Sequence, residues 1–206
     1  MATSPPPPPA EAGDMLDVRR PEPTVLETPR LRLRPLADAE VDALQRLADD
    51  LDIARNTLRV PHPYRREDAE QFFTQQAGAW ARGDAAAFAI TYRGAGGLIG
   101  LCGLHLAHEH GRAELGYWIG REFWGHGYAT EAAAAVVRYG FETLRLNRIH
   151  AGHYPHNPAS GRVLEKIGMR HEGRLRQHVR RFGRTLDMEL YGVLRQEFEA
   201  PAPLDP

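Results

Sequence analysis

Trp124-Gly125-His126-Gly127-Tyr128-Ala129-Thr130-Glu131 joins an apolar strand candidate to an Ala/Val-rich helix candidate. Two glycines and an alanine strip this turn of side chains. Several free helix-start N–H groups can therefore aim at one anion, where the helix dipole also favours negative charge. The cargo that suits such a turn is a phosphate-bearing cofactor. W-G-x-G-Y-A is neither the dinucleotide fingerprint G-x-G-x-x-G nor the nucleotide loop G-x-x-x-x-G-K-[ST]. It lacks the lysine that reaches terminal phosphates, and no acidic run suggests magnesium ligation, which argues against ATP or GTP hydrolysis. Its place past mid-chain argues against a dinucleotide oxidoreductase, whose fingerprint opens the first unit of a mostly parallel sheet.

Working outward, strand-like segments at 87–92, 97–106 and 112–119 form a meander that feeds the turn, broken by glycines at 94–97 and by His108-Glu109-His110-Gly111. Ala129 to Leu144 reads as a helix whose small residues allow close packing on a sheet, and Arg148 to His153 as a short strand, which makes one strand-helix-strand crossover. The next helix has a clear start. Asn157 can cap it, Pro158 fills the first helical position, and Ser160, Val163, Leu164 and Ile167 follow at helical offsets until Gly168. Closing strands at about 171–180 and 184–194 flank Phe182-Gly183 as a hairpin. Toward the N-terminus, Leu31 and Leu33 alternate with arginines as in a strand. Leu36, Val41, Leu44, Leu47 and Leu51 recur at helical spacing, a loop covers 54–66, and a second helix runs from Glu67 to Trp80. The expected architecture is a single mixed α/β domain over residues 24–200. Residues 1–23, with the run Pro5 to Pro9, are expected to be an extended, poorly ordered tail, with no function assigned.

The 206 residues suffice for one substantial core, and a formal net charge of −1 offers no global positive field for nucleic acid. Cys102 is the only cysteine, so an intrachain disulfide is excluded. The opening residues have neither a basic n-region nor an apolar h-region, and no later run is long enough to cross a bilayer, so a cytoplasmic protein without a membrane partner is expected. Ten histidines raise the question of a metal. The closest cluster, His105, His108 and His110, spans a hairpin turn without a carboxylate or cysteine at zinc spacing, and no metal is predicted. Arg174, Arg176, Arg180, Arg181 and Arg184 concentrate charge in the closing hairpin. That suits an acidic acceptor, an rRNA-bearing particle or the adenosine phosphate of a cofactor, or simply a solvated face. Glu131, Glu165 and Asp187 read as structural, Asp187 as an anchor between the last hairpin and a neighbouring loop.

Four stretches in this order carry a family likeness: TPRLRLRPL (28–36), AELGYWIGREFWGHGYATEA (113–132), NPASGRVLEKIGMRHEG (157–173) and GRTLDMELYGVL (183–194). Together they resemble the GNAT superfamily of acyl-CoA-dependent N-acetyltransferases, and within it the RimJ/RimL-like ribosomal-protein N-terminal acetyltransferase branch. The resemblance implies a strongly bent mixed sheet, flanked by helices, in which the strand ending near Gly120 and the strand 148–153 are parallel and splay apart. The pantetheine arm of acetyl-CoA would lie in that V against the exposed edge of the first strand, at Ile119, and the pyrophosphate would meet the turn. Backbone N–H groups of Gly125, His126, Gly127, Tyr128, Ala129 and Thr130 would cradle it. Trp124 stands where many relatives have Gln or Arg, and is either core or a wall of the cofactor groove.

The chemistry implied is attack of a neutral amine on a thioester, with loss of an amine proton and departure of the CoA thiolate. Ser160 is the candidate hydrogen-bond or proton donor to the leaving sulfur; its bland reading is a residue that merely favours a helix start. Many relatives carry a tyrosine general acid where this chain has Leu164, and the Asn157-Ser160 pair matches the RimJ/RimL-like branch instead. Asn157 caps the helix and is a candidate ligand of the pantetheine. Glu114 is the candidate base, the bland alternative being a solvated glutamate on a sheet face. His150, His153 and Tyr154 could touch substrate or relay a proton. Direct transfer is expected, because Cys102 has no histidine at a meaningful spacing. The acceptor implied is the α-amine of a protein or peptide N-terminus. The alternatives are an aminoglycoside or polyamine, or a catalytically silent acyl-CoA-binding module. Arg55, Arg59, His62, Arg65 and Arg66 in the 54–66 loop weigh against a cationic drug. A homodimer through the last strands is possible.

Overall fold

The computed structural model describes residues 17–94 and 96–198. The proline run and residues 199–200 of the expected domain lie outside the described residues. β1 (Leu26–Glu27) and β2 (Leu31–Arg34) lead through α1 (Val41–Ala48), α2 (Leu51–Asn56) and α3 (Arg66–Arg82) to the meander β3 (Ala85–Tyr92), β4 (Leu98–Ala107) and β5 (Arg112–Ile119). α4 (Tyr128–Glu142) crosses to β6 (Arg148–His153), α5 (Pro158–Lys166) follows, and β7 (Arg170–Arg181) and β8 (Arg184–Leu194) close the chain. The strands form one sheet in the order β1-β2-β3-β4-β5-β6-β8-β7, with β5 and β6 parallel and the other neighbours antiparallel. The meander, the crossover and the final hairpin thus stand where the sequence places them. That hairpin turns on Phe182 and Gly183, both at positive φ (46° and 73°), the backbone a two-residue turn requires.

The apolar repeat from Leu36 to Leu51 does not make one helix. α1 ends at Ala48, Asp50 is extended, and its carboxylate accepts the Asp52 N–H at 2.6 Å, opening α2 as a cap. A local side-chain-to-backbone bond outweighs the continued periodicity. Leu51 is 52% exposed in consequence, whereas Val41, Leu44 and Leu47 are buried. α2 also takes residues 54–56 out of the expected loop.

α4 packs Ala132, Ala133, Val136 and Val137 on the sheet with Phe88, Ile90, Leu104 and Leu115. A methyl group on Gly140 would lie 2.6 Å from Ile149 Cδ1 and 3.0 Å from Leu104 Cδ1, so any larger residue here would displace the ends of these side chains. α1 and α3 bury Val41, Leu44, Leu47 and Ala69 in a second cluster with Ala89, Leu98 and Leu101. Alternation along β3, with Phe88 and Ile90 in one cluster and Ala89 in the other, shows a sheet covered on both faces. Each fully buried leucine or isoleucine contributes about 1.5–3 kcal/mol. Residues 17–23 carry no regular structure, yet Val18 packs on the main cluster and the Arg19 N–H donates to Leu144 O at 2.8 Å.

The sheet opens at one place. β5 and β6 pair only at Arg112/Arg148, Ala113/Ile149 and Glu114/His150. β5 stays on β4 as far as Ile119, and β6 stays on β8 as far as His153. The two parallel strands therefore part beyond Glu114, leaving Leu115–Ile119 with an edge free of β6.

Candidate active site

The fork divides the candidate residues between two faces. Ala113, Leu115 and Ile119 are buried on the side of α4 and α5, and Tyr117 points the same way, whereas Arg112, Glu114 and Gly116 are exposed on the other side. α5 begins beside the fork. Asn157 Oδ1 accepts the Ser160 N–H at 3.4 Å and Pro158 occupies the first turn, so the cap read from the sequence is formed. Tyr117 Oη lies 2.8 Å from Ser160 Oγ and 3.1 Å from Ser160 O, bridging β5 to α5. Burial pushes the Tyr117 phenol well above its ordinary range; the Ser160 hydrogen bond opposes this and Cys102 adds to it. His153 lies on the same face. Its Nδ1 is 2.9 Å from Tyr154 O, which requires the proton there, and Nε2 is buried without a partner among the described residues. Gly161 makes room for that ring, since a Cβ there would stand 2.7 Å from Nε2. Tyr154 Oη is likewise buried and unpartnered among the described residues.

On the opposite face Glu114 sits at the mouth of the fork, between His105 of β4 and His150 of β6 in register. Burial lowers the affinity of both rings for a proton; Arg59 adds to this for His105, and Glu114 opposes it for both. The structure does not bring Glu114 and Ser160 into contact. It sets them on the two sides of the opening, an arrangement in which one can serve an incoming amine and the other a departing sulfur.

The turn before α4 has the expected bareness. Gly125 and Gly127 take positive φ, 83° and 79°. Among the described residues, none of the backbone N–H groups from Gly125 to Thr130 donates to a protein acceptor, and the Glu131 N–H to Gly127 O bond, at 3.1 Å, is the first of the helix. These free donors at a helix N-terminus suit a pyrophosphate. Trp124 is not core. It is 44% exposed, and its indole N–H donates to Ile119 O at 2.6 Å, which lays the ring over the end of β5. Ile119 is buried, and its carbonyl retains only its second lone pair for a ligand. The His126 ring stacks on Tyr128.

Sequence reasoning missed Arg30 and Tyr117. Arg30 NH1 donates to His126 O at 3.0 Å, its guanidinium lies 4.8 Å over the Tyr128 ring, and it pairs with Glu131, which brings positive charge to the turn before α4. For Tyr117 a signal was present: alternation puts it on the inward face, and a buried phenol needs a hydrogen-bond partner. Asp187 accepts from Arg174 Nε at 2.8 Å and the Gln177 N–H at 2.7 Å, both in β7, so it ties the final hairpin to itself and not to a neighbouring loop. Among the described residues, no group of three or more His, Cys, Asp or Glu converges as metal ligands would, and no helix is long and apolar enough to cross a membrane.

The open sheet forked between parallel strands, with a bare helix start beside the fork, is a fold shared with solved acetyltransferases, among them a GNAT-family acetyltransferase from Bacillus anthracis at TM-score 0.76 and 28% identity, covering 84% of this chain and 100% of that one. Residues 30–170 match the Acetyltransferase (GNAT) domain, and the chain belongs to that family. Uncharacterized N-acetyltransferase p20 of Bacillus licheniformis is 32% identical over 176 residues, covering 84% of this chain and 97% of p20. Mycobacterium smegmatis RimJ in complex with CoA-disulfide shares the fold at TM-score 0.76 and 23% identity, covering 85% of this chain and 88% of that one. The [ribosomal protein uS5]-alanine N-acetyltransferase of Escherichia coli (strain K12) is 38% identical over 65 residues, covering 32% of this chain and 34% of that enzyme. The protein is an acetyltransferase with acetyl-CoA as its acetyl donor.

Proposed function

We propose that the protein belongs to the RimJ/RimL-like branch and acetylates the α-amine of a protein or peptide N-terminus. The observation that carries this reading is the engagement of acidic side chains around α2 and the following loop. Asp52 pairs with Arg55 at 2.9 Å and Arg121 at 2.7 Å, Asp49 accepts the Tyr64 N–H at 2.8 Å, and Asp68 accepts the Arg65 N–H at 2.8 Å. An aminoglycoside or polyamine would need free carboxylates here, and Asp49, Asp52 and Asp68 are already held by cations and N–H groups. The uS5-alanine enzyme, similar over its matched segment, modifies a substrate of the proposed kind.

In this reading the turn from Gly125 to Thr130 holds the pyrophosphate, Trp124 and Ile119 wall the groove, and Asn157 fixes the start of α5. Glu114 takes the proton of the amine directly or through a water. The nitrogen attacks the thioester carbon, the carbon–sulfur bond breaks, and Ser160 donates a hydrogen bond to the sulfur that keeps the electron pair. Transfer is direct. Burial pushes the Cys102 thiol well above its ordinary range, which removes it as a nucleophile.

The test is thiol release from acetyl-CoA across peptide N-termini, polyamines and aminoglycosides, with mass spectrometry of each product. Acetylation of a peptide class at its α-amine is expected, and preferential acetylation of a polyamine or drug would overturn the acceptor assignment. Ser160→Ala is expected to lower kcat about tenfold with little change in CoA affinity. The effect is modest because a thiol, with an ordinary pKa of about 8.5, leaves with limited help. Unaltered kcat would remove Ser160 from the reaction.

A further inference from the structure

Leu164 fills the position from which a tyrosine could have reached the sulfur from within α5, and it is fully buried. A phenol nevertheless enters the site from the opposite wall. Tyr117 belongs to β5, forty-three residues before Ser160, and the two hydroxyl oxygens stand 2.8 Å apart. The contact spans the strand that leaves the fork and the helix that begins beside it, so it lines the space where the donor thioester would enter.

A phenol has one proton to donate, and Tyr117 has two oxygens of Ser160 within reach. The Ser160 carbonyl is also placed to accept the helical N–H four residues on, whereas Ser160 Oγ has Tyr117 as its sole protein hydrogen-bond partner among the described residues. A proton donated to Oγ also fixes the direction of the serine's own O–H, which is then left free. A full proton transfer from Tyr117 to sulfur is unfavourable. An ordinary phenol at about 10 is already a weaker acid than a thiol at about 8.5, and burial weakens this one further.

Building on the proposed role of Ser160, we propose that Tyr117 is a positioning residue for thiol departure. Its O–H donates to Ser160 Oγ, turns the serine O–H toward the leaving sulfur, and by polarising that hydroxyl makes it a better donor. No proton changes owner along the chain Tyr117 to Ser160 to sulfur. The sulfur takes the electron pair of the broken carbon–sulfur bond and is stabilised as thiolate until it is protonated by water.

Tyr117→Phe deletes one oxygen and keeps the ring in the wall. The expected result is a fall in kcat of about fivefold to tenfold, with the KM for acetyl-CoA and the calorimetric affinity for CoA within about twofold. In the Ser160→Ala background Tyr117→Phe is expected to add nothing, since the phenol then has no hydroxyl to orient. A full-size effect of Tyr117→Phe in that background overturns the proposal, as does unchanged kcat in the single variant or a loss confined to CoA binding. If Ser160→Ala alone is silent, the serine assignment itself fails. If Ser160→Ala slows turnover and Tyr117→Phe does not, only the present inference falls.

Discussion

Gly127→Asp is expected to raise the KM for acetyl-CoA and the dissociation constant of CoA about a hundredfold while leaving the protein folded. Gly127 caps α4 from a left-handed conformation (φ 79°, ψ 3°), where an aspartate is strained by about 1–2 kcal/mol. Its carboxylate would stand among the free N–H groups from Gly125 to Thr130 and take up donors that the pyrophosphate needs. Losing one charge-assisted bond weakens binding by about 1.5–3 kcal/mol, and a like charge roughly 5 Å away, in a water-exposed turn, adds about 1 kcal/mol. Together these approach the ~2.7 kcal/mol that a hundredfold change requires. The fold tolerates the new charge because a Cβ at this position would lie 3.5 Å from Arg30 NH2, which can pair with it. Gly127→Ala carries the backbone strain without the charge and is expected to shift CoA affinity by less than about tenfold. Calorimetric titration of both variants checks this. If Gly127→Asp bound CoA as the natural protein does, the pyrophosphate would have to lie elsewhere.

The bareness of the turn before α4 was legible in the sequence because it is a property of backbone: two glycines, a small residue and a helix start within one short stretch suffice to predict free N–H groups. The capped start of α5 was legible for the same reason, since Asn157, Pro158 and Ser160 act within a single turn. The splay of β5 from β6 was carried by family resemblance, because nothing in the composition of 115–119 or 151–153 states that pairing stops at Glu114 and His150. Two failures have a common physical cause. Arg30 reaches Glu131 across 101 residues, and Tyr117 reaches Ser160 across 43. Both pairs sit inside motifs quoted for the resemblance, but periodicity assigns a residue to a face and is silent on what that face meets. The broken helix at Asp49–Asp50 is the opposite failure: the apolar spacing was read over a longer range than the capping carboxylate permits.

Glu131→Ala is expected to destabilise the protein by about 2–3 kcal/mol and, through the same contact, to weaken acetyl-CoA binding. The carboxylate is 4% exposed at the first turn of α4. It accepts Thr28 Oγ1 at 2.6 Å, the Arg30 N–H at 2.9 Å and Arg30 Nε at 2.7 Å, and pairs with Arg30 NH2 at 2.6 Å. Breaking a fully buried pair costs about 3–5 kcal/mol. The Arg30 side chain is 47% exposed, so water recovers part of its loss and the expected cost is smaller. The segment before β2 would then be freed from α4, and with it the Arg30 bond to His126 O that steadies the turn proposed to hold the pyrophosphate. Glu131→Gln isolates the charge. Burial opposes ionisation of Glu131, but the Thr28 and Arg30 bonds and the Arg30 charge outweigh it and hold the carboxyl below its ordinary value. A carboxyl whose pKa is depressed by folding stabilises the folded state above the unfolded-chain value of about 4.3, and that contribution is lost as pH falls through the folded-state value. The stability gap between the natural protein and Glu131→Gln should therefore be full at about pH 7 and shrink below about pH 4. Urea unfolding at several pH values reads it directly. A gap that persists undiminished in acid would mean that the second oxygen of the carboxyl group, and not its charge, holds the β2 entrance to the start of α4.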